Sequence, residues 1–273
     1  MKGKILHKTS TVESKLTHPS IFYLDAMLSV RGGVFKIGDS FGEGAADEYP
    51  VRNVKVGSFA LSRTCICFDE YDYYCICTGK PFVGDSLNHR GKLPVVNVTW
   101  LDAVDYCNWL SEEHGLDAVY DIRPLENEIA IEVSWENNGF RLPTEAEWEF
   151  AARLEGKYAR YANGLQLPKH SVMHGGAHKR GSVPVNSKSP DALGFYHLCG
   201  NVWEFCNDWY GFESYANVDF NNPKGVAEGW KKVIRGGAWN EWLDACRISR
   251  RESLSLQDQN NFTGFRVARS ILM

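Results

Sequence analysis

The stretch 231–269 constrains the fold more than any other part of the chain. It opens with Val233 and Ile234, turns at Gly236 and Gly237, and closes with Gly264, Phe265, Arg266 and Val267. Both ends are short, apolar or alternating, and bounded by glycine, as strands are. Between them no helical or strand period persists, and proline is absent. The side chains in between are of nearly every kind, from Glu241, Trp242, Leu243 and Asp244 to Arg250, Arg251 and Glu252. Two strands around a chemically mixed connection describe a scaffold that presents side chains, not a packed core.

The rest of the chain has material for one large domain or two small ones: 273 residues, 44% of them hydrophobic and 13% aromatic. A net charge of −4 argues against a general nucleic-acid binder. No apolar run approaches the ~18 residues of a membrane span. Residues 1–16 hold lysines but no apolar core or cleavage site, so they do not read as a signal peptide. Eight cysteines stand at 65, 67, 75, 77, 107, 199, 206 and 246. Cys65, Cys67, Cys75 and Cys77 invite a four-thiolate zinc site, but structural zinc cysteines sit on turns at wider spacing. Small buried hydrophobes are the competing account.

In chain order, 1–30 reads as an arm or edge strand, with apolar residues from Phe22 to Val30. A turn at Gly32 and Gly33 leads into a strand through Val34, Phe35 and Ile37. Val51, Val54, Val56 and the run 59–61 predict a strand pair. Thr64 is placed to cap a helix over 65–78, stopped by Gly79 and Pro81. Thr99 caps a clearer one, with Trp100, Ala103, Val104, Cys107 and Leu110 on one face. A hairpin is expected from 118–122 and 129–133. Thr144 and Glu147 stand in capping-box relation at the head of a helix to about Arg153. From 154 to 192 the sequence is loop-like and holds His170, His174 and His178, for which a solvated or backbone-bonding role outweighs a metal role. The fold class is α+β, loop-rich, with two main helices.

Several blocks together resemble the formylglycine-generating-enzyme (sulfatase-modifying factor) family. They include Pro94-Val95-Val96-Asn97-Val98-Thr99-Trp100, the run from Arg141-Leu142-Pro143-Thr144-Glu145 to Arg153, Gly200-Asn201-Val202-Trp203-Glu204, Arg235-Gly236-Gly237-Ala238-Trp239 and Gly264-Phe265-Arg266. The resemblance implies a single domain over 31–273 with the C-type-lectin-like fold of that family. Fold alone does not give function.

The family's oxidases carry two copper-binding cysteines after the paired glycines. Here those positions are Glu241 and Cys246. A soft Cu(I) ion wants two thiolates, so a carboxylate removes most of the affinity, and oxidase activity is expected to be lost. Asn201, Val202 and Glu204 resemble the part of the family that holds calcium through side-chain and backbone oxygens. The alternative is that Asn201 and Glu204 satisfy buried groups beneath Trp203. No cofactor is required on this reading.

The C-terminal blocks, with Cys246, Arg247, Ser249 and Arg251 between them, look like the variable region of diversity-generating retroelement proteins, the treponemal variable protein among them. That resemblance implies a non-enzymatic binder, displayed at a bacterial surface, whose protein or cell-surface ligand depends on the variant. The variable segment is then about 238–263. Its binding side chains are Asn240, Glu241, Trp242, Leu243, Asp244, Arg250, Glu252, Ser253, Leu254, Ser255, Gln257, Gln259, Asn260 and Phe262. Trp242 and Arg250 or Arg251 are of the kinds that anchor interfaces. Ser253, Ser255, Gln257, Gln259 and Asn260 supply adaptable hydrogen bonds. The alternative is a copper-dependent oxidase acting on a peptide cysteine through Cys246.

Overall fold

The computed structural model describes residues 24, 26–84, 90–124, 129–166 and 181–271. Within them, strand β12 (Ala268–Ser270) lies inside a sheet, not at its edge. Its neighbours are β4 (Phe59–Ser62) and β7 (Phe140–Arg141), and β1 (Met27–Val30) completes the order β1-β4-β12-β7. Ala268 faces Leu61 on one side and Arg141 on the other, both antiparallel. The two ends of the described chain are therefore tied into one sheet through β4. The expected edge strand is β1; residues 1–23 of the arm lie outside the described residues.

A second sheet holds β8 (Trp203–Trp209), β9 (Lys231–Arg235), β10 (Glu252–Ser255) and β11 (Thr263–Gly264) in the order β10-β9-β8-β11. β11 runs parallel to β8, and the other pairs are antiparallel. Two ribbons stand apart: β2 (Gly33–Ile37) with β3 (Arg52–Val56), and β5 (Tyr120–Pro124) with β6 (Ile129–Val133).

Three helices pack on this frame: α1 (Phe68–Thr78), α2 (Trp100–Glu113) and α3 (Glu145–Ala152). Local chemistry starts the last two. Thr99 Oγ1 accepts the Asp102 amide at 3.0 Å while Asp102 accepts the Thr99 amide at 2.9 Å. Thr144 and Glu147 exchange the same pair of bonds, so two orphan amides are satisfied reciprocally in each helix. Helix α1 and helix α2 share one core through Tyr71, Tyr74, Tyr106 and Phe265. Helix α3 shares the other with the β2–β3 ribbon, where Phe35 and Phe150 meet edge to face at 5.2 Å.

The α+β class and its loop content stand, with corrections in detail. Three α-helices are present among the described residues, at the three places where the sequence predicts them. Helix α1 begins at Phe68 instead of Cys65, with Cys67 in the cap position and not Thr64. The reason is backbone pairing: the Ile66 amide donates to Phe265 O and Ile66 O accepts from Val95, which holds this stretch extended. β3 and β4 do not pair with each other; β3 joins β2 and β4 joins β1 and β12. Phe265, Arg266 and Val267 are buried but form no strand, because the Phe265 and Val267 carbonyls bond Ile66 and Ser62 outside any ladder. His170, His174 and His178 lie outside the described residues.

Candidate functional site

The presenting segment leaves β9 through Gly236 and Gly237, whose φ angles of 103° and 77° favour glycine. A Cβ on Gly237 would stand 2.7 Å from Ala245 O, so the chain folds back tightly onto a one-turn 3-10 helix, Leu243–Cys246. At the mouth of the loop, Trp239 takes an amide bond to Asn201 O and its indole reaches Asn261 O at 3.5 Å.

Three buried arginines hold the segment from beneath. Arg247 donates to both oxygens of Glu48, at 2.6 and 2.9 Å, and to Asp244 at 2.7 Å. Arg251 grips Glu145 with two bonds, 2.7 and 2.9 Å, and reaches the carbonyls of Asp47 and Gly211. Arg235, from β9, bonds Glu149 and Glu145 and the carbonyls of Ile248 and Ser249. Burial pushes the Glu145 carboxyl up, but Arg251 and Arg235 outweigh it and leave it below its ordinary value. A charge removed from water survives only with such partners. Residue type alone suggests Arg251 as an interface anchor, but it lies in the core, 2% exposed and bound to Glu145.

The segment's other side chains face outward to different degrees. Trp242 is 66% exposed and Leu243 42%; Asp244, Gln257 and Gln259 are exposed as well. Asn240, Glu241, Arg250, Glu252, Ser253, Leu254, Ser255, Asn260 and Phe262 are half-buried, and Arg250 pairs with Glu252. Leu254 and Phe262 pack against the helical core, so most of their apolar surface is already covered. The large apolar anchors open to a ligand are therefore Trp242 and Leu243. Asn260 bends the chain itself: its Oδ1 accepts the Phe262 amide at 3.0 Å, and its carbonyl accepts the Asn97 amide.

The positions with chemical promise are arranged otherwise than their spacing implies. Cys246 is buried against Cys199, whose thiol also donates to Cys246 O. The contact with Cys199, together with burial, holds the Cys246 thiol well above its ordinary pKa. Asn201 bonds both backbone groups of Val183 and has φ +74°. Val202 is fully buried in the core. Glu204 receives two bonds from Arg266 at 2.6 Å, one from the Trp148 indole at 2.7 Å and one from Cys65 at 3.1 Å. With protein donors on both of its oxygens, the Glu204 side chain does not fit the calcium donor set; it serves as a counter-ion. Nor do the four N-terminal cysteines converge: Cys75 donates to Pro81 O and Cys77 is exposed. Among the described residues no group of three or more His, Cys, Asp or Glu could hold a metal ion.

Sequence reasoning missed Glu48, Glu145 and Glu149 as supports of the segment. For Glu145 and Glu149 the only local signal was a position in the first turns of a helix; for Glu48 there was none.

Comparisons with known proteins agree with this architecture. Residues 14–271 match the family described as sulfatase-modifying factor enzyme 1-like domain. The chain is 30% identical over 270 residues to the serine/threonine-protein kinase pkn1 of Chlamydia pneumoniae, covering 91% of this chain but 38% of that one. It is 29% identical to the formylglycine-generating enzyme of Streptomyces coelicolor, over 87% of each chain. In three dimensions it is similar to variable protein 1 of Treponema denticola, with a TM-score of 0.75 at 23% identity, covering 89% of this chain and 94% of the other.

Proposed function

Since the chain belongs to the sulfatase-modifying factor enzyme 1-like family, whose fold serves more than one purpose, we propose that it is a non-enzymatic member that binds ligand through residues 240–262. The observation that carries this reading is the division within that segment: Arg247 and Arg251 are buried and doubly ion-paired, while Trp242 and Leu243 stand in solvent. A segment held by its own core gives up little freedom when a partner arrives. Trp242 and Leu243 supply apolar anchors, and Glu241, Asp244, Arg250 and Glu252 set electrostatic selectivity. Exchange of these side chains leaves the buried ion pairs of Arg247 and Arg251 intact, which suits a variable protein displayed on a bacterial surface with a ligand that changes with the variant. Copper oxidation is disfavoured by the donors: Glu241 offers hard oxygen, and Cys246 is a buried, protonated thiol.

The test is a combined replacement of Trp242, Leu243, Asp244, Gln257 and Gln259 by alanine, assayed against a ligand selected from a displayed library or a host-surface extract. The expected protein melts cooperatively near the parent temperature and no longer binds. An unfolded variant, or one that binds as before, would end the reading. One observation favours the oxidase instead, the contact of the Cys199 and Cys246 thiols. Stoichiometric Cu(I) binding lost in Cys246→Ala, with turnover of a cysteine peptide, would establish it.

A further inference from the structure

The sheet β10-β9-β8-β11 has two edges, finished in different ways. Beyond β11 lies the backbone of Val95, so near that a Cβ on Gly264 would stand 2.4 Å from Val95 O. The other edge is β10, which belongs to the presenting segment.

Hydrogen bonds fix which way β10 turns its main chain. The Trp203 amide donates to Phe262 O on the β11 side, so Glu204 turns toward β9 and pairs with Arg235. The Tyr210 amide donates to Lys231 O. Lys231 and Arg235 therefore both face β8, and Lys232 and Ile234, lying at alternate positions, face β10. Their partners are Leu254 and Glu252. Ser253 and Ser255 consequently point their N–H and C=O groups away from the sheet. The Asp258 amide closes Ser255 O at 3.2 Å. The Ser253 N–H, the Ser253 C=O and the Ser255 N–H take no hydrogen bond among the described residues. Proteins ordinarily blunt such an edge with lysine, proline, a bulge or a cover. β10 holds no lysine or proline, and its register against β9 is regular. The charge of Arg251 is turned inward to Glu145, and Arg250 is paired with Glu252.

We propose that β10 receives an extended segment of a protein ligand, which joins the sheet as an added strand through Ser253 and Ser255. This rests on the reading of 240–262 as the ligand face and names the form the ligand takes there. The unused groups recur at every second residue, donor beside acceptor at Ser253, and the main chain of another extended segment answers that spacing. Main-chain bonds hold such a strand in register whatever its sequence, and its alternating side chains meet the two faces of the sheet. Beside it, Leu254 offers an apolar neighbour on one face, and Ser253 and Ser255 offer hydroxyls on the other. Exchange of those neighbours changes which sequences are accepted and leaves the docking geometry as it was.

Hydrogen exchange on the full chain reads this edge directly. In the unliganded protein the Ser253 amide should exchange on the order of a hundredfold faster than that of Leu254. Equal protection of the two means that the edge is already covered and overturns the proposal. The probe is a linear decapeptide selected on the protein from a displayed random library; its binding should slow exchange at Ser253 about tenfold or more. Methylating the peptide amides one at a time should weaken binding about tenfold at alternate positions and spare those between. Ser253→Pro removes only an outward N–H, so it should melt near the parent temperature and weaken the peptide about tenfold. Ser253→Ala should bind as the parent does, because the contact is main chain. The methylation series leaves the protein unaltered and decides the matter if the proline variant fails to fold. A selection that yields no peptide, or a dimer that Ser253→Pro dissolves, overturns the proposal, the latter by giving the edge to a second copy. So does a bound peptide that shows neither the two-residue period nor protection of Ser253. Its loss in the combined alanine variant would still uphold 240–262 as the ligand face, whereas protection of Ser253 persisting in that variant would uphold the added strand and end the wider reading.

Discussion

Helix α3 and the segment 240–262 are built by opposite rules, although they touch. Every residue of α3, from Glu145 to Ala152, is buried, including three glutamates. Along 240–262 buried and accessible residues alternate in short blocks, and the buried ones include the two arginines that reach Glu48 and Glu145. The helix supplies charge to the interior; the segment hooks onto buried charge through Arg247 and Arg251 and exposes Trp242, Leu243 and Asp244. What this teaches is visible at two neighbouring positions. Arg251 lies in the core with two bonds to Glu145, whereas Arg250 is partly in solvent and pairs with Glu252. Residue type is the same, and only the partner's location separates frame from display.

The largest expected effect follows from that pair. Arg251→Ala leaves Glu145 short of a buried partner and should cost about 3–5 kcal/mol in urea or guanidinium unfolding. Arg250→Ala breaks a half-exposed ion pair and should cost about 0–1 kcal/mol. Equal costs would erase the distinction between the two regions.

A second effect belongs to the frame alone and is read by pH. His197 lies beside Arg266, the arginine that binds Glu204; burial, then the charge of Arg266, pulls its imidazole down to about 4. The folded value lies below the unfolded one, near 6.5. The stability it contributes is therefore complete above pH 6.5 and is lost as pH falls through 4. His197→Gln should flatten the decline of melting temperature over that window. Charge changes in the presenting segment should leave the window where it is.

The helix caps give a smaller effect. Thr144→Ala removes the hydroxyl that accepts the Glu147 amide, and should cost about 0.5–2 kcal/mol by denaturant titration. A cost within about 0.3 kcal/mol would mean that tertiary pairing of Glu147 with Arg141, not the cap, fixes the start of α3.

These contrasts also explain what could be read without coordinates. The caps at Thr99 and Thr144 were legible because cap and partner are three residues apart. The family blocks were legible because they are short strings. The arginine supports were not: Arg251 and Glu145 are 106 positions apart, and Arg247 and Glu48 are 199. Nothing local distinguishes Arg250 from Arg251. Strand β10 was missed because Ser253, Leu254, Ser255 and Leu256 alternate over too few residues to establish a period. Phe265 to Val267 failed in the other direction, having strand-like residues whose carbonyls are used by Ile66 and Ser62. As for 240–262, its chemical mixture was evident in the sequence, but the split between anchors and open side chains appears only once the core is drawn.

The smallest expected effect is the sharpest probe of the comparison. Trp242 is the largest exposed side chain of the segment, 66% accessible, at the head of the Leu243–Cys246 turn. In a core, deleting a tryptophan costs about 3–5 kcal/mol. At an accessible position that binds a partner, Trp242→Ser should change unfolding free energy by no more than about 0.5 kcal/mol. Its effect on a selected ligand should be far larger, about 2 kcal/mol or more, because buried aromatic anchors carry most of an interface. Measuring both on one preparation separates the roles. A loss confined to binding assigns Trp242 to display, whereas a comparable loss of stability would move it into the frame with Arg247 and Arg251 and leave the segment without its main anchor.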